Sequence, residues 1–526
     1  MSKNIHVQNI TITIPGKTLI HNSNLSLTYG SKYGLIGVNG SGKTTLLKHI
    51  YKKELSIPPN FPVYYVGQED EKVDNNKTVY QVVLEANKDK YELVSRLNEL
   101  EEILDTSEDE KVLDEYNKIT EKLDQLQYYK DEAMIRKILY GLGFPQEQQN
   151  ALYYDQSGGY KMRVLLCKGL YMNPTLLLLD EVVNHLDLSS VIFLVDYLTH
   201  KWKNTILMVS HDTNFLNEIC THIIHLDNQQ LNYHVGNYDN FLKTQAQEQA
   251  TKEKEWKVIE NKIKEMKRAS TKKEIVDEFY EKNKDKEPPK PYKVNIRFNQ
   301  TNKLNNPLIE LSHVTFGYSN DKILFDDLKF TLCNGDKYVL AGKNGVGKTT
   351  LLKLLAKRLK PINDHSEIIH NNRLKFGVYE QEFNEIEANL QLTPVEYLKT
   401  IDTNLNEFQA RKLLGIICLD STNHMKQMAL LSGGEKAKVQ MVAISVNKPH
   451  VLLLDEPTNH FDVQNIDSII QAIKEYTGAM VIITHNIAFI EETGCKILLL
   501  ENQKLIELDF NEYYDKILGD IENFSL

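Results

Sequence analysis

Two glycine-rich stretches carry the first chemistry in this chain. GVNGSGKTT (37–45) and GKNGVGKTT (342–350) share the form G-x-x-x-x-G-K-T, each after an apolar run and before a helical one. Gly37, Gly40 and Gly42, and Gly342, Gly345 and Gly347, let backbone N–H groups close around phosphate oxygens at a helix start. Asn39, Ser41 and Thr45, with Asn344, Val346 and Thr350, complete the two loops. Lys43 and Lys348 are expected to neutralise the β- and γ-phosphates of ATP, and Thr44 and Thr349 to place a hydroxyl on Mg2+. One such loop alone would prove little.

Carboxylates and histidines stand where those loops need them. LLLLDE (176–181) and VLLLDE (451–456) end apolar, strand-like runs in Asp180 and Asp455, which can be held toward Mg2+. The adjacent Glu181 and Glu456 can polarise an attacking water. His211 and His485 can hold the γ-phosphate and that water, so the mechanism is one of positioning. Gln68 and Gln381 lie at matching strand ends after the loops and are expected to sense Mg2+ and the γ-phosphate. Ser157, Gly158 and Gly159, like Ser432, Gly433 and Gly434, open helices and offer a second anion-binding end. A phosphate loop already covers one side of the nucleotide. Each SGG turn is therefore expected to cap the ATP held by the other half of the chain, with binding closing the sandwich and hydrolysis opening it.

These motifs recur in one order, and that makes the chain a duplication. YGLIGVNGSGKTTLLKHI (33–50) returns as YVLAGKNGVGKTTLLKLL (338–355), QSGGYKMR as LSGGEKAK, LLLLDEVVNHLD as VLLLDEPTNHFD, and VSHDTNFL as ITHNIAFI. Ser157 to Glu181 and Ser432 to Glu456 both span 24 positions. Lys43 to Ser157 spans 114 positions and Lys348 to Ser432 only 84, so the first copy carries about 30 extra residues. The extra residues fall around 90–127. Leu93, Leu97, Leu100 and Leu104, then Leu113, Tyr116, Ile119, Leu123 and Leu126, follow helical spacing, with the acidic stretch 105–110 as the turn. Two readings stand: a projecting helical hairpin, or leucines packed on the domain's own core.

The fold class expected is α/β: two P-loop domains with helical subdomains, joined by a long helical linker. Boundaries fall at 1–241, 242–304 and 305–526. Between Lys252 and Lys273 there are nine Lys or Arg against four Glu, and Trp256, Ile259, Ile263 and Met266 form one apolar stripe. EKNKDKEPPKPYK, with Pro288, Pro289 and Pro291, reads as an extended return. The basic run is open to two readings, a solvated helix face or a contact with RNA backbone.

Composition bounds the rest. At 526 residues the chain is too long for a single core, and its net charge of −10 argues against coating nucleic acid with the whole surface. Five scattered cysteines without a CxxC pair suit a reducing compartment and oppose a disulfide framework or structural zinc. The longest apolar runs, such as 176–179 and 451–454, are far short of the ~20 residues of a membrane span. A cytoplasmic protein without membrane spans is expected.

The motifs are those of ATP-binding cassettes, and their pairing across a charged linker resembles the ABC-F family. YHVGNY (233–238), PPKPYKVNIRF (288–298), VTFGY (314–318) and the NHLD and NHFD loops carry the resemblance further, toward the eukaryotic branch linked to translation control. The resemblance implies an ATPase using ATP and Mg2+, acting on the ribosome as a monomer whose cassettes pair intramolecularly. It also implies rRNA contact, and tRNA contact through the linker. Departures from the family pattern are Val182-Val183 in place of Pro-Thr, Gln156 before Ser157, and Asn486 after His485. Tyr318 is positioned to stack on adenine, where the first copy has Thr13 and Ile14. Two unequal sites are expected, both able to hydrolyse, the first binding ATP less tightly. The alternatives are the energising subunit of a transporter, for which a basic linker has no use, and a DNA-maintenance ATPase, which needs zinc modules or far longer coiled coils.

Overall fold

The computed structural model describes residues 3–38, 40–67, 76–104, 110–210, 212–269, 273–284, 287, 296–298, 302–319, 322–363, 365–380, 384–458 and 463–524. Each half contains a six-stranded sheet. In the first the order is Val63–Val66, Leu176–Asp180, Thr205–Val209, Lys32–Ile36, His222–Asp227 and Gln230–Val235. The second repeats it as Phe376–Tyr379, Val451–Asp455, Ala479–Ile483, Lys337–Ala341, Lys496–Glu501 and Lys504–Leu508. All neighbours pair in parallel except the last two, which are antiparallel. Leu176–Asp180 and Val451–Asp455 are buried at every position. A strand covered on both faces has no need to alternate, which explains the continuous apolar runs.

A smaller antiparallel sheet covers each half: Ile5–Ile14 with Lys17–Leu27, and Lys322–Leu332 with Ile309–Ser319 and Glu367–His370. Its inward side chains pack on the helix that follows the phosphate loop, as Ile12 and Leu25 do with Leu46, Leu47 and Ile50. The duplication reaches into backbone strain. Asn9 and His313, Asn22 and Asp327, Asn173 and Lys448, and Glu181 and Glu456 all take positive φ between 44° and 56°. Side-chain-bearing residues rarely do so, and pairing of these outliers marks two copies of one backbone.

The extra residues of the first half form helices Lys88–Leu104 and Glu110–Gln125, packed on each other. Arg96 clasps the Glu115 carboxylate at 2.9 and 3.2 Å across the pair. The apolar stripe divides. Val94 and Leu123 join the main core, whereas Ile103 and Leu113 remain exposed, so the base packs down and the outer half stands free. The acidic turn at 105–109 lies outside the described residues.

The linker departs from its sequence reading in two ways. Its helix begins at Tyr238, before the expected boundary at 242, because the Asn237 side chain accepts from the Asn240 N–H and caps it there. It runs 31 residues to Arg268 and is followed by a second helix, Lys273–Asn283, that folds back on it. Residues 281–283, read as extended, are thus helical: Val276 is buried and Tyr280 meets Trp256 edge-on at 6.1 Å, contacts that only a returning helix supplies. The prolines at 288–291 lie outside the described residues. Beyond them Ile296 and Phe298 are buried, Phe298 against Tyr476, which ties the return to the second half.

The C-terminal helix Phe510–Glu522 crosses to pack on Leu188–Asp196 of the first half. Phe524 stacks on Tyr140 at 4.3 Å, and one core cluster runs through both halves. This helix holds the two halves face to face. Among the described residues no helix is long and apolar enough to cross a membrane.

A composite nucleotide site

Each phosphate loop leaves the carboxyl end of a central parallel strand and opens a helix, Lys43–Tyr51 or Lys348–Leu355. Gly42 and Gly347 turn the chain there with φ of 109° and 107°. A Cβ at Gly347 would come within 2.9 Å of the Phe325 ring, so the turn admits no side chain. Lys43 Nζ donates to the Gly37 and Val38 carbonyls at 2.8 and 3.3 Å. Lys348 Nζ likewise donates to the Gly342 and Lys343 carbonyls at 2.7 and 3.1 Å, and to Asn344 Oδ1 at 3.3 Å. Both ammonium groups thus sit inside the loop, and burial holds both below the ordinary lysine value against the pull of neighbouring carboxylates.

The metal-site candidates are adjacent in both halves. Thr44 Oγ1 donates to Asp180 Oδ1 at 3.2 Å, and Thr349 Oγ1 to Asp455 Oδ2 at 2.7 Å. Burial first, then Glu456 beside it, raises the Asp455 carboxyl to about 6. Burial and the neighbouring Asp180 raise Glu181 to about 7. Buried carboxylates that repel one another beside a hydroxyl are the donor set a hard divalent cation neutralises. The first loop also buries Ser41 Oγ with no hydrogen-bond partner among the described residues, a donor that a phosphate oxygen fits. Mg2+ and a triphosphate therefore fit these residues, with Thr44, Asp180, Thr349 and Asp455 as the metal-site set. Bound Mg2+ would supply charge neutralisation of the phosphates. Gln68, Gln381, Asn39 and His211 lie outside the described residues.

Glu181 and Glu456 follow their aspartates in left-handed conformation, φ 55° and 50°, with N–H groups bonded to Val209 and Ile483 carbonyls. That turn swings the carboxylate off the strand and toward the loop. His485 Nδ1 stands 2.8 Å from Glu456 Oε2, at ion-pair length though not in aligned hydrogen-bond geometry. Burial alone would lower the His485 imidazole, but Glu456, Asp212 and Asp187 outweigh it and raise it. Asp212 belongs to the other half. Asn486 replaces an aspartate without local loss, since both residues cap the next helix: Asp212 accepts from Phe215 N–H at 3.0 Å and Asn486 from Phe489 N–H at 2.8 Å.

A cleft of ≈ 680 Å³ joins the halves at the second loop. One wall is Lys348, Thr349, Asp455 and Glu456; the other is Gly159, Asn184 and His185 from the first half. Tyr318 stands at its edge, 69% exposed, its hydroxyl 3.1 Å from Thr350 Oγ1. The matching position of the first half is Ile14, also exposed. The SGG turn at Ser157 thus faces the opposite phosphate loop. Two contacts cross between the halves here: the Asn344 N–H donates to Asp187 Oδ2 at 3.4 Å, and the Tyr160 hydroxyl donates to the Asn344 carbonyl at 3.5 Å. Spacing alone singled out neither Tyr160 nor Asp187. An aromatic directly after an SGG turn, and an aspartate ending the repeated NHLD segment, are the signals that could have found them.

Comparison with known proteins agrees with this geometry. A family model described as ABC transporter matches residues 20–184 and 325–459. The chain is 34% identical over 564 residues to ABC transporter F family member 4 of Arabidopsis thaliana, covering 99% of this chain and 77% of that protein. It is 33% identical to Protein GCN20 of Saccharomyces cerevisiae, over 98% of this chain and 72% of the relative. A solved complex of an archaeal ribosomal stalk protein with the archaeal ribosome recycling factor aABCE1 shares the fold at TM-score 0.57 and 16% identity, covering 99% and 93% of the two chains.

Proposed function

Starting from the fact that this chain belongs to the ABC-F family of tandem ATP-binding cassette proteins, and is an ATP-binding and ATP-hydrolysing enzyme, we propose that it is an ATP-gated clamp acting on the ribosome. The cleft at Lys348 carries this reading, because its two walls come from different cassettes and a nucleotide there would bridge them. The reciprocal site, Lys43 faced by the Ser432 turn, follows from the duplication. Binding energy spent across such a joint closes it, and hydrolysis releases it.

Within each site Lys43 or Lys348 would receive the phosphates, and Thr44 with Asp180, or Thr349 with Asp455, would hold Mg2+. Glu181 and Glu456 orient the attacking water. His485, its imidazole held raised by the carboxylates around it, would hold the terminal phosphate, and His211 would take that role in the first site. Little covalent chemistry falls to the protein; placement and charge supply the rate.

What supports the ribosome as target is the helical hairpin between the cassettes. Its first helix is about 46 Å long at the usual helical rise, and its 252–273 segment is basic within an acidic protein. That is the form of a probe for RNA backbone, reaching rRNA and tRNA from a cytoplasmic monomer. The similarity to a structure titled for a ribosome recycling factor agrees in fold. A Glu181→Gln, Glu456→Gln variant should bind ATP, stay closed and sediment with ribosomes while translation stops. Normal ATP binding with no ribosomal fraction enriched would sink the proposal.

A further inference from the structure

Ser157 and Ser432 hold equivalent places, each N-capping a 15-residue helix, Gly158–Met172 or Gly433–Asn447. Their hydroxyls are in different states. Ser432 Oγ and the Ser432 N–H both donate to Glu435 Oε2 at 2.8 Å, and the Glu435 N–H donates back to Ser432 Oγ at 3.4 Å. Glu435 Oε1 takes the side-chain amide of Asn423. Ser157 makes no side-chain cap, and the residue three further on, Tyr160, has no carboxylate to return a bond to it; the Tyr160 hydroxyl donates to the other cassette instead. A carboxylate in a helix's first turn uses the donors and the positive field that a phosphate would use. One signature turn is open to an anion; the other already contains one.

The cassettes are related by an approximate twofold. Helices Thr213–Ile219 and Ile487–Thr493 are equivalents, and they pack on each other. Gly159 lies in the cleft with Lys348, so the same rotation carries Ser432 toward the loop of Lys43. We propose that Glu435 is a built-in anion that competes with the terminal phosphate of ATP, making the site of Lys43 the weaker one and the second to close. The proposal rests on the clamp reading and specifies the order within it. Its signature differs from that of adenine stacking. Stacking at Tyr318 acts on ATP and ADP alike, whereas competition at Glu435 acts only on a nucleotide with a third phosphate.

The test is equilibrium binding of Mg2+-AMP-PNP and of Mg2+-ADP to the full chain, without ribosomes. Glu435→Gln keeps an oxygen for the cap and removes the charge. It should tighten the weaker AMP-PNP class about fivefold, the scale of one charge at a helix end, and leave ADP binding unchanged. Glu435→Asp, which keeps the charge, should leave that class weak. Adding Lys43→Ala should abolish the class that Glu435→Gln moved. The proposal is overturned if Glu435→Gln shifts nothing, if ADP shifts in parallel, if Glu435→Asp tightens as much, or if Lys348→Ala removes the responsive class instead. Loss of ribosome sedimentation by the doubly Gln-substituted variant, with these affinities intact, would count against the clamp's target and leave this order standing.

Discussion

Asn344, in the second phosphate loop, donates its backbone N–H to Asp187 Oδ2 of the first cassette across 3.4 Å. The same oxygen takes Arg163 Nη1 at 3.1 Å, while Asp187 Oδ1 takes the Ser190 N–H at 3.0 Å and caps the helix Leu188–Asp196. Burial opposes the charge of Asp187, but Arg163, the Ser189 hydroxyl, Lys348 and the Ser190 N–H outweigh it and hold the carboxyl down at about 2. One carboxylate thus links a signature helix, the helix gripped by the C-terminus and the opposite phosphate loop.

Arg163→Met should therefore cost about 3–5 kcal/mol, the usual result of stripping one partner from a buried pair. Both side chains are 1–2% exposed, so solvent screening gives little relief. The Asp187 contribution is present above its unfolded value near 3.8 and is lost only as pH falls through 2. Denaturant melts should show a constant difference between wild type and variant from pH 8 to pH 5, narrowing below about pH 4. A difference that varied across the neutral range would contradict this.

Tyr318→Ala should weaken nucleotide binding at the second site by about 1–2 kcal/mol, the scale of a base–aromatic stack. Ile14→Tyr should strengthen the first site in the same sense. Calorimetry with ADP reads both, and identical isotherms for all three proteins would remove the stacking role.

Asp212→Asn should lower the His485 imidazole, since it removes a carboxylate that helps to raise it. The charged form should then be lost at lower pH, and single-turnover hydrolysis should fall earlier on the alkaline side. Histidine NMR titration of the full chain checks the sign. Asn486→Asp, which would keep the cap but add a buried carboxylate beside His485, should raise it.

Trp256→Ala should loosen the linker hairpin alone, because Trp256 meets Tyr280 within it while the cassette cores lie elsewhere. Hydrogen exchange should accelerate in the two linker helices and stay unchanged in the sheets. Uniform acceleration would mean that the hairpin is not a separate unit.

Much of the site was legible from residue spacing because its parts are local. The loops around Lys43 and Lys348, the strand-end Asp180 and Asp455 and the helix-opening SGG turns each depend on backbone within a few residues, so residue type and interval determine them. Less legible was the left-handed turn at Glu181 and Glu456, which spacing does not encode. The packing of the second linker helix, Lys273–Asn283, back on the first was missed because a charged helix reads alike whether it continues or folds over; the burial of Val276 shows which.

By itself the sequence determined that two copies of one nucleotide-binding unit exist and which side chains each brings. Only the tertiary structure decided that the turn at Ser157 meets the loop of Lys348, that Asp187 and Asp212 act on the far cassette, and that Ser432 is taken by Glu435 while Ser157 makes no side-chain cap. These relations join residues up to 270 or more positions apart, as Asp212 and His485 are. Periodicity reports only which face of an element is apolar, and what covers that face is chosen by packing, here by the C-terminal helix laid across the joint.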